Sequence, residues 1–147
     1  MKKRNKIFAI LALVWMIFIF SMSAQSADES TNTSLRAGRL VCTLFVPHYK
    51  NMTASDQMAL AEKIDHPVRK TAHATEYAVL GILLFFAIPG NRYVLSLFIA
   101  AVYASTDEFH QLFVPGRSGQ ITDVLIDSCG AIAGLLLLFL LHLRSHH

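Results

Sequence analysis

The fold is decided by Val124–Leu143, VLIDSCGAIAGLLLLFLLHL, in which Asp127 is the single charged residue. A run of this length and composition can cross the hydrocarbon core of a membrane as one helix. Three more apolar blocks precede it, at Tyr93–Thr106, Tyr77–Asn91 and Ile7–Ala27. Because 54% of the 147 residues are hydrophobic, only 16% are charged and the mean hydropathy is +0.45, a soluble monomer is disfavoured. We predict an all-α membrane protein.

The four blocks predict an antiparallel bundle of four transmembrane helices in a single domain, residues 1–147. The predicted helices lie near residues 6–25, 68–88, 92–112 and 122–143. Two alternatives stay open. The first block, with small residues around Ser23–Ser26, also resembles a cleaved signal peptide. The short middle blocks would also suit buried helices of a soluble bundle, although Gly81–Ile88 offers such a bundle no polar outer face.

Basic residues are concentrated in one N-terminal cluster, Lys2, Lys3, Arg4 and Lys6. The net charge of +3 comes largely from this cluster, which is typical of a membrane-orientation signal rather than of a nucleic-acid surface. It predicts that the N-terminus is cytoplasmic, and with four spans the C-terminus is cytoplasmic too. The two cysteines, Cys42 and Cys129, do not form a disulfide scaffold.

Residues 26–66 form the long polar connection between the first two predicted spans. One helix is predicted from side chains that recur near the helical period, namely Leu35, Gly38, Cys42 and Phe45. A second short helix is predicted from Ser55, with Thr53 as its cap. Pro67 is predicted to start the next helix, where its missing N–H needs no partner. We expect these amphipathic pieces to lie on the extracytoplasmic membrane surface or to cap the bundle.

The polar residues of each block lie at one end, and successive spans alternate in direction. All four polar ends should therefore meet on the same side of the membrane. They carry Ser21, Ser23, Gln25 and Ser26 in the first block, Arg69, Lys70, His73 and Glu76 in the second, Asp107, Glu108, His110 and Gln111 in the third, and Asp123 and Asp127 in the fourth. A charged group facing lipid costs about 3 kcal/mol, so we expect these stripes to face one another inside the bundle.

Three details refine this arrangement. Gly130 and Gly134 have the small-xxx-small spacing that allows close helix packing. Asp123 and Asp127 need cationic partners, for which Arg69 or Arg117 is expected. The turn Val114–Gly119 should hold Arg117 over the polar ends, where it either binds an incoming anion or pairs with Asp123.

At these residues the chain resembles the VanZ-like family of bacterial membrane proteins, named for an accessory protein of teicoplanin resistance. The resemblance covers most of the chain. It rests on Trp15–Ser21, Arg69-Lys70, His73, Glu76-Tyr77, Leu80-Gly81, Asp107-Glu108, His110-Gln111, Phe113–Arg117, Asp123, Asp127, Gly130 and Gly134. Asp127 departs from it, since the family pattern often has Asn there. The resemblance implies a multi-pass protein of the bacterial plasma membrane, and for some members reduced susceptibility to lipophilic glycopeptides.

The polar ends favour a site that binds or modifies an anionic headgroup of a membrane lipid or lipid-linked envelope precursor. The candidate catalytic residues, which could move protons, are Glu76, His73, Asp107 and Glu108. The candidate binding residues are Arg69, Lys70, Tyr77, Gln111, Arg117, Asp123 and Asp127. The carboxylates and imidazole could also ligate a divalent metal, but their spacing selects none. The metal, the cofactor and the choice between enzyme and binder are therefore left open.

Two other functions fit the same residues. In one, the charged cluster only fixes helix packing, and the protein is a non-catalytic assembly or shielding component of the membrane. In the other, the intramembrane carboxylates and histidine form a proton or ion path. The polar residues occupy only one half of the predicted membrane thickness, which argues against such a path. The oligomeric state is not indicated by the sequence.

Overall fold

The computed structural model describes residues 3–90 and 92–144, and these residues form five α-helices and no strand. The helices are α1 (Lys3–Ser23), α2 (Ala27–Phe45), α3 (Ala54–Ala87), α4 (Arg92–Gln111) and α5 (Ile121–Arg144). A short 3-10 helix, Tyr49–Asn51, lies between α2 and α3. The all-helical prediction is confirmed for this part of the chain. Lys2 and Asn91, used in the sequence analysis, lie outside the described residues.

Within the described residues, two helices are long and apolar enough to cross a membrane, namely α1 and α5. α4 is similar in length but carries Arg92, Asp107 and Glu108. In α3 the uninterrupted apolar part begins only at Tyr77, because the preceding turns contain charged residues. Length and composition thus support two spans, and four remain a prediction.

The helical contacts fix the relative directions of the bundle helices. α1 runs antiparallel to α3, since Asn5 Nδ2 donates to the Ala87 carbonyl at 3.4 Å and Trp15 Nε1 donates to the Glu76 carbonyl at 2.9 Å. α4 runs parallel to α1, because the Tyr103 hydroxyl donates to the carbonyl oxygen of residue 16 at 2.6 Å. α3 and α5 also run parallel to each other, because Gly130 lies against Ala74 and Gly134 against Ala78.

α5 packs against α3 at backbone distance. A Cβ atom built on Gly130 would lie 2.1 Å from the Ala74 carbonyl oxygen, and one on Gly134 would lie 2.4 Å from that of Ala78. A Cβ atom cannot approach an oxygen so closely, so only glycine fits at both positions. This agrees with the packing role expected of the pair. It also brings the polar N-terminal turns of α5 beside the middle of α3.

α3 differs from the prediction at Pro67. A new helix was expected to begin there, but Pro67 lies inside the 34-residue α3, so that expectation is wrong. A proline inside a helix removes one hydrogen bond and costs about 3 kcal/mol. α2 contacts α3 on both sides of this proline: Ser34 donates to Asp65 before it, and Arg69 donates to Thr31 at 3.2 Å after it. These contacts with α2 thus stabilise α3 as one continuous helix.

α2 starts with a capping box, in which the Ser26 N–H donates to Glu29 Oε2 at 3.0 Å and the Glu29 N–H donates to Ser26 Oγ at 3.4 Å. The hydrogen bonds from Ser26 hold the pKa of the exposed Glu29 carboxyl below its usual range. At the start of α3, the predicted Thr53 cap is present.

The buried face of α2 is shifted from the predicted one. It consists of small residues at every fourth position, namely Ser30, Ser34, Gly38 and Cys42. Leu35 is only half-buried, and Phe45 is 78% exposed. The small side chains let α2 approach α3 closely, with a Gly38 Cβ position only 3.5 Å from the Ala61 carbonyl oxygen. The predicted amphipathic helix is therefore present, and of its predicted stripe Gly38 and Cys42 are buried whereas Leu35 and Phe45 are not.

Candidate functional site

A cavity of about 150 Å³ lies at the polar end of the bundle, among α3, the end of α4, the α4–α5 loop and the start of α5. Its lining contains eight of the predicted site residues, Arg69, Lys70, His73, Glu108, Gln111, Arg117, Asp123 and Asp127. The other three, Glu76, Tyr77 and Asp107, do not line it. The first turn of α2 also reaches the cavity through Ala27, which sequence reasoning did not anticipate.

The loop between α4 and α5 holds Arg117 over the cavity, as the turn residues predicted. The Arg117 N–H donates to the Val114 carbonyl at 3.1 Å, and Gly116 between them has a φ of 74°. Pro115 presets the backbone before Gly116, which is the pattern of a type II turn. Gly119 lets the loop return against α4, because a Cβ there would lie 2.1 Å from the Glu108 carbonyl oxygen.

The Arg117 guanidinium is hydrogen-bonded only to neutral side chains. Nε and Nη2 both donate to Gln111 Oε1, at 3.2 and 3.0 Å, and Nη1 donates to Ser30 Oγ at 2.8 Å. Among the described residues, no carboxylate lies within ion-pairing distance of it. Burial lowers the pKa of Arg117 below its usual range, and the neighbouring positive charge of Arg69 lowers it further.

The two other cations of the cavity have different partners from those predicted. Lys70 Nζ lies 2.6 Å from Asp123 Oδ1, so Asp123 pairs with Lys70 rather than with Arg69 or Arg117. Arg69 pairs with Asp65, one turn earlier on α3, at 2.6 Å. The proposed Arg117–Asp123 pair is therefore wrong. A helical wheel shows on which face of a helix a residue lies. It does not show the height of that residue relative to a neighbouring helix, and this height decides which side chains pair.

Both carboxylate oxygens of Glu108 accept hydrogen bonds, and one of these bonds comes from the loop between α4 and α5. Its Oε1 accepts from Gln111 Nε2 at 3.1 Å, and its Oε2 accepts from the backbone N–H of Gln120 at 2.9 Å. With both oxygens occupied by uncharged donors, the carboxylate is positioned to fix the cavity wall. These contacts leave it poorly placed for the acid–base role predicted for it.

Beneath the cavity, several polar atoms are buried without a hydrogen-bond partner. Among the described residues they include His73 Nδ1, Glu76 Oε2, Tyr77 OH, Asp107 Oδ1 and Asp127 Oδ2. Asp107 Oδ2 accepts from Ser23 Oγ at 2.7 Å, and among the described residues no cation lies within ion-pairing distance of Asp107. Glu76 Oε2 is 3.7 Å from His73 Nδ1, near enough to interact but too far for a hydrogen bond.

The model of one protein family, described as VanZ/LLP1, matches residues 8–142, a range that extends into all five described α-helices and contains every residue that lines the cavity. The chain belongs to the VanZ/LLP1 family. No curated protein sequence and no solved structure matches it at a significant level. Family membership and the two apolar helices together support a membrane protein.

The carboxylates of this VanZ/LLP1 protein are spread over separate helices. In the part of the chain that the structure describes, no group of three His, Cys, Asp or Glu side chains is arranged to hold a metal ion. Asp107 is instead held by Ser23, and Glu108 by Gln111 and Gln120. The described part of the site thus contains cationic side chains and separate carboxylates rather than a cluster of metal ligands.

Sequence reasoning missed the part of α2 and early α3 that completes the site of this VanZ/LLP1 protein. Ser30 bonds to Arg117, Thr31 to Arg69, and Asp65 to both Arg69 and Ser34. A signal for this was present in the sequence. Ser30 and Ser34 start the run of small residues at every fourth position, which predicts a face that another helix can approach closely.

Proposed function

We propose that this VanZ/LLP1 protein spans the bacterial plasma membrane four times, through α1, the C-terminal part of α3, α4 and α5. Both termini are then cytoplasmic, and the cavity opens at the extracytoplasmic face. The outward surface of α4 supports a lipid environment for that helix, since Val94 is 65% exposed and Phe98 is 64% exposed. Such large exposed apolar side chains on a soluble helix would be unfavourable.

In this setting the cavity binds the anionic headgroup, a phosphate or a carboxylate, of a membrane lipid or lipid-linked envelope precursor. The observation that carries this proposal is the Arg117 guanidinium, which is half-buried at the cavity and has only neutral hydrogen-bond partners. A half-buried guanidinium without a carboxylate in ion-pairing contact is only partly compensated, and an anion that enters the cavity and contacts it would lower this cost.

The hydrogen bonds of Arg117 also leave it suited to a forked contact. A guanidinium has five N–H donors. Three are used by Gln111 and Ser30, so one N–H on Nη1 and one on Nη2 remain. Two donors on neighbouring nitrogens of one planar group can contact two oxygens of a phosphate or carboxylate. Lys70 and Arg69 line the same cavity, but each is paired with a carboxylate at 2.6 Å, so Arg117 is the cation that the proposal relies on.

Modification of the bound group would need proton transfer near the headgroup. His73 lines the cavity, and Glu76 lies 3.7 Å from it. These two side chains are the pair in the site best placed to accept and return a proton. Binding of an envelope precursor would also give this protein a direct route to altered teicoplanin susceptibility.

A second candidate is an assembly or shielding protein whose polar cluster is structural. The observation that favours it is that Lys70 and Arg69 already have carboxylate partners at 2.6 Å. Satisfied ion pairs can fix helix register without any ligand. Transport has less support, because the described core beyond the cavity is mainly apolar, with Leu80, Leu84 and Ala104, and its buried polar residues there are Ser96 and Asn5.

Mass spectrometry of lipids that copurify with the protein in mild detergent tests the proposal. We expect wild-type protein to retain an anionic lipid at fixed stoichiometry and Arg117→Gln to lose it. Arg36→Gln makes the same change on an exposed, unpaired arginine of α2 and should retain the lipid. Equal lipid content in all three proteins would favour the structural role instead.

A further inference from the structure

A wide apolar groove runs along the outside of the bundle where α1, α2 and α3 meet. Its volume is about 690 Å³, within the range of about 300–1,000 Å³ found for ligand pockets. Trp15 and Phe18 of α1 form one wall, Val41 of α2 another, and the stretch of α3 from Ile64 to Val79 the floor. The groove lies outside the site described above.

The groove and the cavity are linked by a smaller pocket of about 90 Å³, which shares lining residues with both. Arg69 and His73 line this pocket and the cavity, whereas Val68, Ala72 and Glu76 line this pocket and the groove. A single molecule can therefore occupy the cavity and the groove together.

The lining of the groove is suited to hydrocarbon. Of the described residues that line it, Glu76 alone is ionisable, and it lies where the groove joins the small pocket. The Thr75 hydroxyl donates to the carbonyl oxygen of Thr71 at 2.7 Å, and Trp15 Nε1 donates to the Glu76 carbonyl oxygen at 2.9 Å. These polar groups are satisfied internally and leave their apolar parts toward the groove.

The groove is also open to the side. Thr71, Ala72 and Thr75 on its floor are all exposed, as is Phe18 on its wall. The neighbouring surface of α2 is strongly apolar, with Leu44 67% exposed and Phe45 78% exposed. In the proposed membrane topology, a lipid chain can enter the groove from the bilayer without crossing water.

We infer that the groove holds the hydrocarbon chain of a lipid whose phosphate or carboxylate headgroup occupies the cavity, so that the ligand is a long-chain anionic amphiphile rather than a water-soluble anion. This inference rests on the proposed function. The occupant follows from position and charge: the apolar groove borders, through the small pocket, on a cavity in which the Arg117 guanidinium has only neutral hydrogen-bond partners. An acyl chain ending in an anionic headgroup matches both parts.

The test uses the full-length protein in detergent and compares three probes by native mass spectrometry: dioleoyl phosphatidic acid, dihexanoyl phosphatidic acid and inorganic phosphate. Because each buried methylene adds to affinity, the dioleoyl lipid should bind at least about tenfold more tightly than the dihexanoyl lipid. Thr71→Trp fills the groove without touching the cavity and should remove most of this difference. Ala59→Trp, at an exposed position of α3 outside the groove, is the matched control and should preserve it.

The outcomes separate the two proposals. Arg117→Gln should weaken both phosphatidic acids alike, because it acts on the headgroup. If Arg117→Gln weakens binding but the chain-length preference is absent or survives Thr71→Trp, the groove inference is overturned and the headgroup site stands. If Arg117→Gln changes nothing, the proposed function itself fails. Should Thr71→Trp not fold, equal binding of the dioleoyl and dihexanoyl lipids to wild-type protein would still overturn the inference.

Discussion

Gln111 separates the charge of Arg117 from that of Glu108. Its Oε1 accepts two hydrogen bonds from the Arg117 guanidinium, at 3.2 and 3.0 Å, and its Nε2 donates to Glu108 Oε1 at 3.1 Å. A neutral amide therefore stands where a carboxylate would neutralise the arginine. This arrangement orients the guanidinium and leaves its charge available to an anion from outside.

Gln111→Glu should weaken binding of an anion, because it neutralises Arg117. The substitution keeps nearly the same shape but places a carboxylate against Arg117, so an entering anion would meet a neutralised arginine. We expect affinity for dioleoyl phosphatidic acid to fall at least about tenfold, because hydrogen bonds to charged groups contribute about 1.5–3 kcal/mol each. Lipid titration followed by native mass spectrometry measures it. Unchanged affinity in a normally folded variant would mean that the charge of Arg117 does not attract the ligand.

Gly130→Ala should destabilise the bundle without altering the polar site directly. The new methyl group would overlap the Ala74 carbonyl, and overpacking of this kind costs about 1–3 kcal/mol. Thermal unfolding in detergent should show a lowered midpoint. Gly38→Ala is the matched control, because its Cβ position is 3.5 Å from the nearest atom and alanine favours a helix. Equal midpoints for the two variants would contradict the close α3–α5 packing.

The membrane topology can be read with reporter fusions. A fusion after Asn51 should report an extracytoplasmic location, and one after Asn91, which lies outside the described residues, a cytoplasmic location. The basic N-terminal cluster is the physical reason, since such a cluster favours a cytoplasmic N-terminus. The reverse pattern would place the cavity on the cytoplasmic face and exclude an extracytoplasmic precursor as its ligand.

Much of the helical arrangement could be predicted because it depends on local apolar runs. α1, α4 and α5 begin and end within a few residues of the predicted 6–25, 92–112 and 122–143. The predicted span 68–88 is instead the second part of the longer α3. α3 continues through Pro67 with the support of its packing against α2. The local rule that proline ends or kinks a helix takes no account of such a long-range contact.

The site was less predictable than the helices, because its pairings are long-range. The turn at Gly116 and the placement of Arg117 followed from Pro and Gly in the loop. The partner of Arg117 did not, since Ser30 is contributed by a helix 87 residues earlier in the chain. Similarly, the bond between Ser23 and Asp107 depends on the relative height of α1 and α4, which periodicity leaves undetermined.

Glu76→Gln and Asp107→Asn should impair function while preserving the fold. Each keeps the side-chain shape but removes a carboxyl group that could transfer a proton, so we expect chemical modification of the bound headgroup, measured by mass spectrometry of the lipid, to fall about tenfold or more. The matched controls are Glu62→Gln and Asp28→Asn, which make the same changes at exposed positions. Full activity in both buried variants would leave these carboxylates with a structural role only.

Arg117→Lys tests whether Arg117 recognises an anionic headgroup through a forked contact. Lysine keeps the positive charge but lacks the planar pair of donors and the orienting bonds to Gln111 and Ser30. The measurement is the dissociation constant for dioleoyl phosphatidic acid in wild-type, Arg117→Lys and Arg36→Lys proteins. We predict about tenfold weaker binding for Arg117→Lys and unchanged binding for Arg36→Lys. Wild-type affinity in Arg117→Lys would contradict the account.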